Sequence, residues 1–409
     1  MTADVIVVGA GASGLMAAIF AAQSGASVRI LEHKEKAGKK LLLTGNGKCN
    51  LSCVDIDPTR YRGSEEGFAI PVLNAYSVDD TLRFFREIGV PVRQKNGGYY
   101  PQNEEASGVL RALLLECEKY HVSIDYETGI KRIKALRNGF FLETKQGNYE
   151  CKCCILATGG CSYKETGSDG SGFLYLGDLG HSVQDVVPSL VQLKAKAPFL
   201  KETAGIRADC NLTLLVDQLP VAEEAGELQM TDYGVSGICV FQLSRFAATA
   251  LREQKEVTLS IDFLPASGDV SAVTYLYRRL FASHPAKISA LLGGSVHRKL
   301  IPALLHICRI RDKAASEATE EEIMRIASTL KAFPLSIVGT KKLNEAQVTA
   351  GGVNTLEVFP QTMASRLHEG LFFCGEMLDV DGPCGGYNLQ WAWSSGMCAG
   401  TEAAKLICP

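Results

Sequence analysis

Three features of the chain predict an α/β fold built on a nucleotide-binding sheet. Residues 4–32 read as strand, glycine turn, helix and strand. Residues 370–406 read as a second apolar strand, a glycine-rich turn and a long helix. Between about residues 188 and 346 the pattern changes to isolated strands around a helical stretch. A discontinuous nucleotide domain carrying a long insert is the simplest arrangement of these parts.

The first feature begins with Asp4–Val8, a continuous apolar run of the kind buried on both faces of a parallel sheet. Gly9-Ala-Gly-Ala-Ser-Gly14 follows directly, then an Ala-rich helical stretch over Leu15–Ser24 with Gly25 placed to end it. Ser27–Leu31 is the next strand and stops at Glu32. Residues 77–90 read as an N-capped amphipathic helix closed by Gly89, and residues 105–120 as another. From Val122 to Ala157 short alternating strands, broken at Asn138-Gly139 and Gly147-Asn148, form a β-meander that runs into Ala157-Thr-Gly-Gly160. In the insert, Asn211–Val216 and Val257–Phe263 read as strands, and about Val270–Lys331 as helical.

At 409 residues the chain exceeds one ordinary domain. Its 46% apolar and 21% charged content is that of a globular protein, and a net charge of −3 neither recruits nor forbids a polyanion. The N-terminus enters a strand with no cationic leader or cleavage pattern, and no apolar run approaches the ~18–20 residues of a membrane span. A soluble cytoplasmic protein with no membrane partner is therefore expected. The 14 cysteines do not resemble a metal framework. Cys151, Cys153 and Cys154 share one strand-like segment, and no second Cys/His cluster accompanies them. No metal site is expected.

The glycine turn carries the first chemistry. Gly9 allows the turn off the strand, Gly11 lets backbone approach a pyrophosphate, and Gly14 lets helix and strand pack closely. Ala12 and Ser13 then open the helix, whose N-terminal amides favour phosphate. Glu32, with His33 beside it, ends the second strand, where a carboxylate accepts from ribose hydroxyls and disfavours a 2′-phosphate. The dinucleotide is therefore not expected to be NADP.

Seven segments give the chain a specific resemblance. They are residues 9–15 (Gly-Ala-Gly-Ala-Ser-Gly-Leu), 38–51, 157–160, 233–237, 346–353, 375–382 and 385–396, the last beginning Gly-Gly-Tyr-Asn-Leu-Gln-Trp. The chain is similar from end to end to the HI0933-like flavoproteins, the YhiN-like or BaiN-type NAD(P)/FAD-dependent oxidoreductases. That resemblance implies a glutathione-reductase-like Rossmann FAD-binding domain with a β-meander, interrupted by a β-barrel-like piece that itself carries a helical subdomain. The corresponding ranges are 1–187 with 347–409, 188–269 with 332–346, and 270–331.

It also implies the cofactor contacts. Lys40, Thr44, Gly45, Asn46, Cys49 and Asn50 lie in the segment that wraps the flavin side. Ala157, Thr158 and Gly159 end the meander strand. Gly375 and Glu376 stand where a strand-end acid binds the ribityl chain in glutathione-reductase-like flavoproteins. Asp381, Gly386, Tyr387, Asn388 and Leu389 form the turn and helix start directed at the flavin, a helix end that stabilises negative charge on reduction. Trp391 and Trp393, two apart on that helix, are expected to face different ways, at least one of them in the core.

No second glycine fingerprint provides a nicotinamide domain, so NAD(P)H is expected only as a transient electron donor. The expected reaction is two-electron reduction of a C=C bond, with Tyr233, Asp232, Lys48 and Tyr387 as candidate proton donors by type and position. Asp232 stands where relatives often carry histidine. Two substrates fit the family, a uracil ring in ribosomal RNA, placed first, and a steroid or bile-acid-like molecule. RNA draws its support from the insert, where Arg278, Arg279, Lys287, Arg298, Lys299, Arg309, Arg311 and Lys313 stand against Asp312 alone. The opposing reading is a solvated face balanced by Glu317, Glu320, Glu321 and Glu322. Two further alternatives are a binding or assembly protein with a structural flavin, and a thiol–disulfide oxidoreductase using Cys49 and Cys53, four apart and on one face if helical. Oligomeric state leaves no mark in the sequence.

Overall fold

The computed structural model describes residues 1–408. They divide into two compact units, Met1–Val187 with Leu343–Pro409, and Pro188–Lys342.

The first unit is organised by a seven-stranded mixed sheet. In chain order it contains β1 (Thr2–Val8), α1 (Ala12–Gln23), β2 (Val28–Leu31), β3 (Ser52–Cys53), α2 (Ile70–Ala75), α3 (Val78–Glu87), β4 (Val92–Lys95), β5 (Gly98–Pro101), α4 (Ala106–Lys119), β6 (Ser123–Asp125), β7 (Ile130–Leu136), β8 (Gly139–Thr144) and β9 (Asn148–Leu156). The sheet runs β6-β2-β1-β9-β8-β7. β1 is parallel to β2 on one side and to β9 on the other, with Val8 opposite both Leu31 and Leu156. That register brings the ends of three strands to one edge, where the glycine turn leaves the sheet. The β7–β8–β9 meander is antiparallel, as its alternation predicts. Cys151, Cys153 and Cys154 are all buried in β9, where they pack as small apolar groups. Ser77 caps α3 through a reciprocal box with Asp80.

The second unit begins at Pro188, within β10 (Val187–Ser189), and contains β11 (Leu193–Ala195), α5 (Leu200–Thr203), β12 (Arg207–Val216), β13 (Leu219–Met230), β14 (Gly234–Ser236), α6 (Ile238–Arg252) and β15 (Val257–Asp262). Four helices follow: α7 (Val270–Phe281), α8 (Ile288–Leu292), α9 (Ile301–Cys308) and α10 (Glu320–Lys331). β16 (Phe333–Thr340) closes a six-stranded barrel in the order β11-β14-β13-β12-β15-β16. Alternate residues of β12, β15 and β16 (Leu212, Leu214, Leu259, Ile261, Phe333, Leu335) fill the barrel core. The four helices enclose their own apolar cluster around Tyr277, Phe281 and Leu304.

The chain then returns to the first unit through β17 (Val348–Ala350), β18 (Leu371–Phe373) and α11 (Tyr387–Lys405). β18 adds to the sheet parallel to β9, with Phe373 opposite Leu156. α11 lies on α1 at very short range. A Cβ on Gly396 would stand 2.5 Å from the Ser13 carbonyl oxygen, and one on Gly400 would stand 2.2 Å from that of Ala17.

Candidate functional site

The glycine turn uses its three glycines differently. Gly9 has φ +105°, and a Cβ there would lie 2.6 Å from the Ala157 carbonyl oxygen. A Cβ on Gly14 would stand 2.0 Å from the carbonyl oxygen of Gly9. Both positions are backbone-to-backbone contacts that exclude any side chain. Gly11 is the opposite case, since a Cβ there meets nothing within 4 Å. Gly11 is also the N-cap of α1, which has no capping side chain and no acid in its first turn. An open space beside uncapped amides is the environment an anionic group requires.

Glu32 is buried at the edge of this space. Its carboxylate accepts from the Ala10 amide at 2.7 Å and from the Lys34 amide at 2.8 Å. These bonds hold the glycine turn to the end of β2. His33 sits between Glu32 and Asp169, with ring nitrogens 3.7 and 3.8 Å from their carboxylates. Its Nε2 is buried and has no hydrogen-bond partner.

The far side of the cradle is built by β18. Gly375 approaches Ser13 so closely that a Cβ would lie 2.4 Å from the serine hydroxyl. Its amide donates to Ser395 Oγ, and its carbonyl accepts from Trp391 Nε1 at 3.0 Å. Glu376 gathers three separate segments. It pairs with Lys40 Nζ at 2.5 Å, and its other oxygen accepts from Ser162 Oγ and the Thr349 amide, each at 2.8 Å. Lys40 also donates to Ser162. The carboxylate expected to meet a ribityl chain thus also anchors the segment before residues 41–47 to the turn after β9 and to β17.

The turn into α11 is held from within. Asn388 accepts from the Gly382 amide and donates to the Gly382 and Pro383 carbonyls. Its side chain shapes the loop. Gly386 caps α11 without a side chain and lies against β3, where a Cβ would be 2.5 Å from the Ser52 carbonyl carbon. The main chain of Asp381 pairs with that of Arg62 in both directions. Asp379 is a contributor that sequence reasoning did not single out. It accepts from the amide and hydroxyl of Ser64 and from the Gly351 amide. Ser162 and Thr349 were missed as well. The signal for Asp379 and Thr349 was their place inside the matching segments 375–382 and 346–353.

Residues 41–47 make a tight helical turn, broken by Thr44 in an extended conformation and by Gly45 and Asn46 in left-handed ones. Thr44 Oγ1 donates to the Leu41 carbonyl, and the Thr44 carbonyl accepts from the Cys49 amide. Asn50 Oδ1 and Ser168 Oγ are buried without hydrogen-bond partners. Thr158 hydrogen-bonds Met377 Sδ, and Gly159 turns the chain toward Ser168. Unpartnered buried acceptors on Asn50 and Ser168, together with the open space at Gly11, fit a polar cofactor bound in this unit.

Three expectations change here, and that of a core tryptophan on α11 holds for both tryptophans. Cys49 and Cys53 do not share a helical face, because Cys49 has φ +56° in a turn and Cys53 is in β3. Burial also pushes the Cys49 thiol up to about 12, which removes the reactive thiolate. The Tyr387 hydroxyl is engaged with the main chain of Asp55 and Asp57, and the ring is buried, so it anchors the start of α11. Lys48 pairs with Glu104, which also holds Arg93 and Lys95. Trp391 and Trp393 are both core, since residues 390–400 of α11 are enclosed on every side; Trp393 Nε1 donates to the Leu51 carbonyl.

The remaining candidates lie in the barrel unit. Asp232 and Tyr233 occupy a turn closed by a bond from the Thr231 amide to the Gly234 carbonyl. The Tyr233 ring faces Lys341 Nζ at 4.2 Å. In the helical part Arg278 is paired with Glu320, and Lys313 with Glu322 at 2.8 Å. Lys299 donates to the Ala204 carbonyl. The acids that follow the basic stretch therefore neutralise both of its ends. Among the described residues no His/Cys/Asp/Glu group could hold a metal, and no helix is long and apolar enough to cross a membrane.

Comparison with known proteins agrees with this architecture. The HI0933-like protein Rossmann domain matches residues 3–402. A protein of Clostridium scindens named 3-dehydro-bile acid delta(4,6)-reductase is 41% identical over 407 residues, 98% of each chain. A ribosomal RNA dihydrouridine synthase of Escherichia coli is 29% identical over 395 residues, 96% of each chain. Among solved structures, 3-ketosteroid-delta4-(5alpha)-dehydrogenase from Rhodococcus jostii superimposes with a TM-score of 0.51 at 16% identity, covering 98% of this chain and 97% of that one. At that identity the likeness is one of fold.

Proposed function

This chain belongs to the HI0933-like family, and from that premise we propose that it is an FAD-dependent oxidoreductase that reduces a C=C bond in a steroid-like small molecule. NAD(P)H serves as the transient electron donor, and the protein works in the cytoplasm. The observation that carries the reading is the open space at Gly11 beside the uncapped start of α1, in the same unit as the Lys40–Glu376–Ser162 network. FAD, when bound, supplies two-electron transfer to and from carbon.

The chain's own residues hold and orient. The amides of Ala12 and Ser13 would take the pyrophosphate, and Glu32 would take the ribose. Glu376, fixed by Lys40, would meet the ribityl chain. The uncapped N-terminus of α11 at Gly386–Leu389 favours an oxygen that gains negative charge. Of the four candidate proton donors, Lys48 and Tyr387 are engaged elsewhere, which leaves Tyr233 and Asp232 as the candidates.

Two observations move the small molecule ahead of RNA. Full-length identity is 41% to a reductase named for bile acids and 29% to one named for ribosomal RNA. The basic stretch that supported RNA is neutralised at Arg278 and Lys313. The test is anaerobic reduction of the purified holoprotein with NADH and NADPH, followed by a 3-oxo-4,6-diene steroid acid or a ribosomal RNA transcript. Flavin bleaching by a nicotinamide and recovery with the steroid supports the reading. Recovery with RNA alone overturns the substrate class, and a flavin that no reductant bleaches overturns the enzyme.

A further inference from the structure

Two thiols stand together in the barrel unit, where no cysteine motif announces them. Cys210 lies on β12, and Cys239 lies in the first turn of α6. Gly226 of β13 pairs directly with Cys210. Where Gly226 would carry a Cβ, Cys239 Cβ is 3.5 Å away and its Sγ 3.8 Å away. The residue opposite Cys210 thus has no side chain, and Cys239 fills the slot that absence leaves.

The sulfur contacts follow from this packing. Cys210 Sγ donates to the Gly226 carbonyl at 3.6 Å, and Cys239 Sγ to the neighbouring Glu227 carbonyl at 3.4 Å. A thiol carries one hydrogen, so Cys210 offers its own either to the Gly226 carbonyl or to Cys239 Sγ. Both cysteines are free and only 2% exposed.

The pair is asymmetric. The hydrogen bond from Cys210, aided by the Val240 and Cys239 amides at the helix start, lowers the Cys239 thiol below its ordinary range. The same bond and burial raise Cys210. A helix of 15 residues whose N-cap, Gly237, offers no side chain leaves those amides available to sulfur. At Cys49, Cys117, Cys153, Cys374 and Cys398 burial is the largest influence, and it pushes each thiol up to about 12.

We propose that Cys210 and Cys239 form a reversible redox site that closes to a disulfide under peroxide. Cys239 thiolate attacks one oxygen of hydrogen peroxide, giving Cys239 sulfenic acid and releasing hydroxide, which a proton converts to water. The Cys210 sulfur then attacks the sulfenic sulfur, the S–S bond forms, and a second water leaves. Peroxide gains the two electrons that the thiols lose, and a dithiol reductant reverses the change. The disulfide ties the first turn of α6 to β12. Gly237, which immediately precedes α6, and Gly234–Ser236 of β14 are thereby fixed next to the Asp232–Tyr233 turn.

The test uses the full-length holoprotein treated with hydrogen peroxide. The protein is then unfolded in guanidinium chloride with iodoacetamide to block every free thiol, reduced with dithiothreitol, labelled with N-ethylmaleimide and mapped by peptide mass. The expected result is that Cys210 and Cys239 escape the first label together, take the second, and lower the intact mass by two hydrogens before reduction. The high-range thiols such as Cys374 remain reduced in the same sample. Cys239→Ser should leave Cys210 alkylatable after peroxide, and Cys210→Ala should leave a Cys239 sulfenic acid that dimedone captures. Equal alkylation of both thiols with and without peroxide overturns the proposal, as does protection of Cys210 in the Cys239→Ser variant. The wild-type peptide map decides the matter if a variant fails to fold. None of these readouts depends on the substrate.

Discussion

Gly11 and Gly14 are the same residue type three positions apart, yet their surroundings assign them opposite tasks. A methyl group on Gly14 has to displace the Gly9 carbonyl 2.0 Å away, whereas a methyl group on Gly11 enters open space. Gly14→Ala is therefore expected to destabilise the fold itself by about 1–3 kcal/mol. Gly11→Ala should leave the flavin-free protein's thermal midpoint unchanged and weaken FAD about tenfold or more by crowding the pyrophosphate. Thermal melts of both flavin-free variants and an FAD titration by flavin fluorescence check this pair; wild-type FAD affinity in Gly11→Ala would remove the pyrophosphate from this turn. Cys49 carries a second residue-scale expectation. Its buried, high-range thiol cannot shuttle electrons, so Cys49→Ser should keep the steady-state turnover of the wild type per bound flavin. Loss of turnover with flavin content preserved would restore the thiol reading.

At the scale of elements, α11 is the piece on which the cradle depends. Its Gly396 and Gly400 meet the backbone of Ser13 and Ala17, one turn apart on α1, so the two helices cross in backbone contact. Enclosure of residues 390–400 explains why Trp391 and Trp393, two apart, are both buried: neither face of that stretch of α11 is a solvent face. Gly400→Val should lower stability by about 2–4 kcal/mol and loosen FAD as well, because pushing α11 from α1 moves Gly375 away from Ser13. Urea unfolding with and without FAD measures both effects. Intact FAD affinity in the destabilised variant would separate the helix crossing from the cradle. Elements of the barrel show what local pattern misses. β13, Leu219–Met230, contains Pro220, Gly226 and four glutamates or alanines in succession at 222–225, which have weak strand preference. It is a strand because the full ladder with β12 imposes it, through a turn at Asp217 and Gln218 with both φ values positive.

On the scale of the whole molecule, one buried imidazole ties distant stretches of the first unit together. His181 contacts Glu357 through Nδ1 at 3.0 Å and Ser365 through Nε2 at 2.8 Å, with Phe373 and His368 packed beside its ring. Burial holds its pKa below the ordinary 6.5, against the pull of Glu357. The unfolded chain therefore binds this proton more readily than the folded one. Its contribution is complete above about pH 6.5 and is lost as pH falls below it, by at most about 1.4 kcal/mol per pH unit. Thermal midpoints between pH 7.5 and 5 should fall more steeply for the wild type than for His181→Gln; parallel curves would show that this group does not govern the slope. The charge balance of the molecule gives the last expectation. With Arg278 and Lys313 paired, binding to ribosomal RNA should be weak and should lack the steep salt dependence of a phosphate-tracking face. A filter-binding series between low and physiological salt checks it. How much of this was legible depended on range. The sequence by itself determined the Gly9–Gly14 turn, the Glu32 strand end, the discontinuous sheet and the start of α11, because each is written in residues within a few positions of one another. Tertiary structure alone decided that Glu376 meets Lys40 from 336 positions away, that Asp379 clamps Ser64 to Gly351, and that Cys239 fills the space above Gly226. Those contacts join residues whose separation leaves no periodicity to read, and only the packed chain brings them within bonding distance.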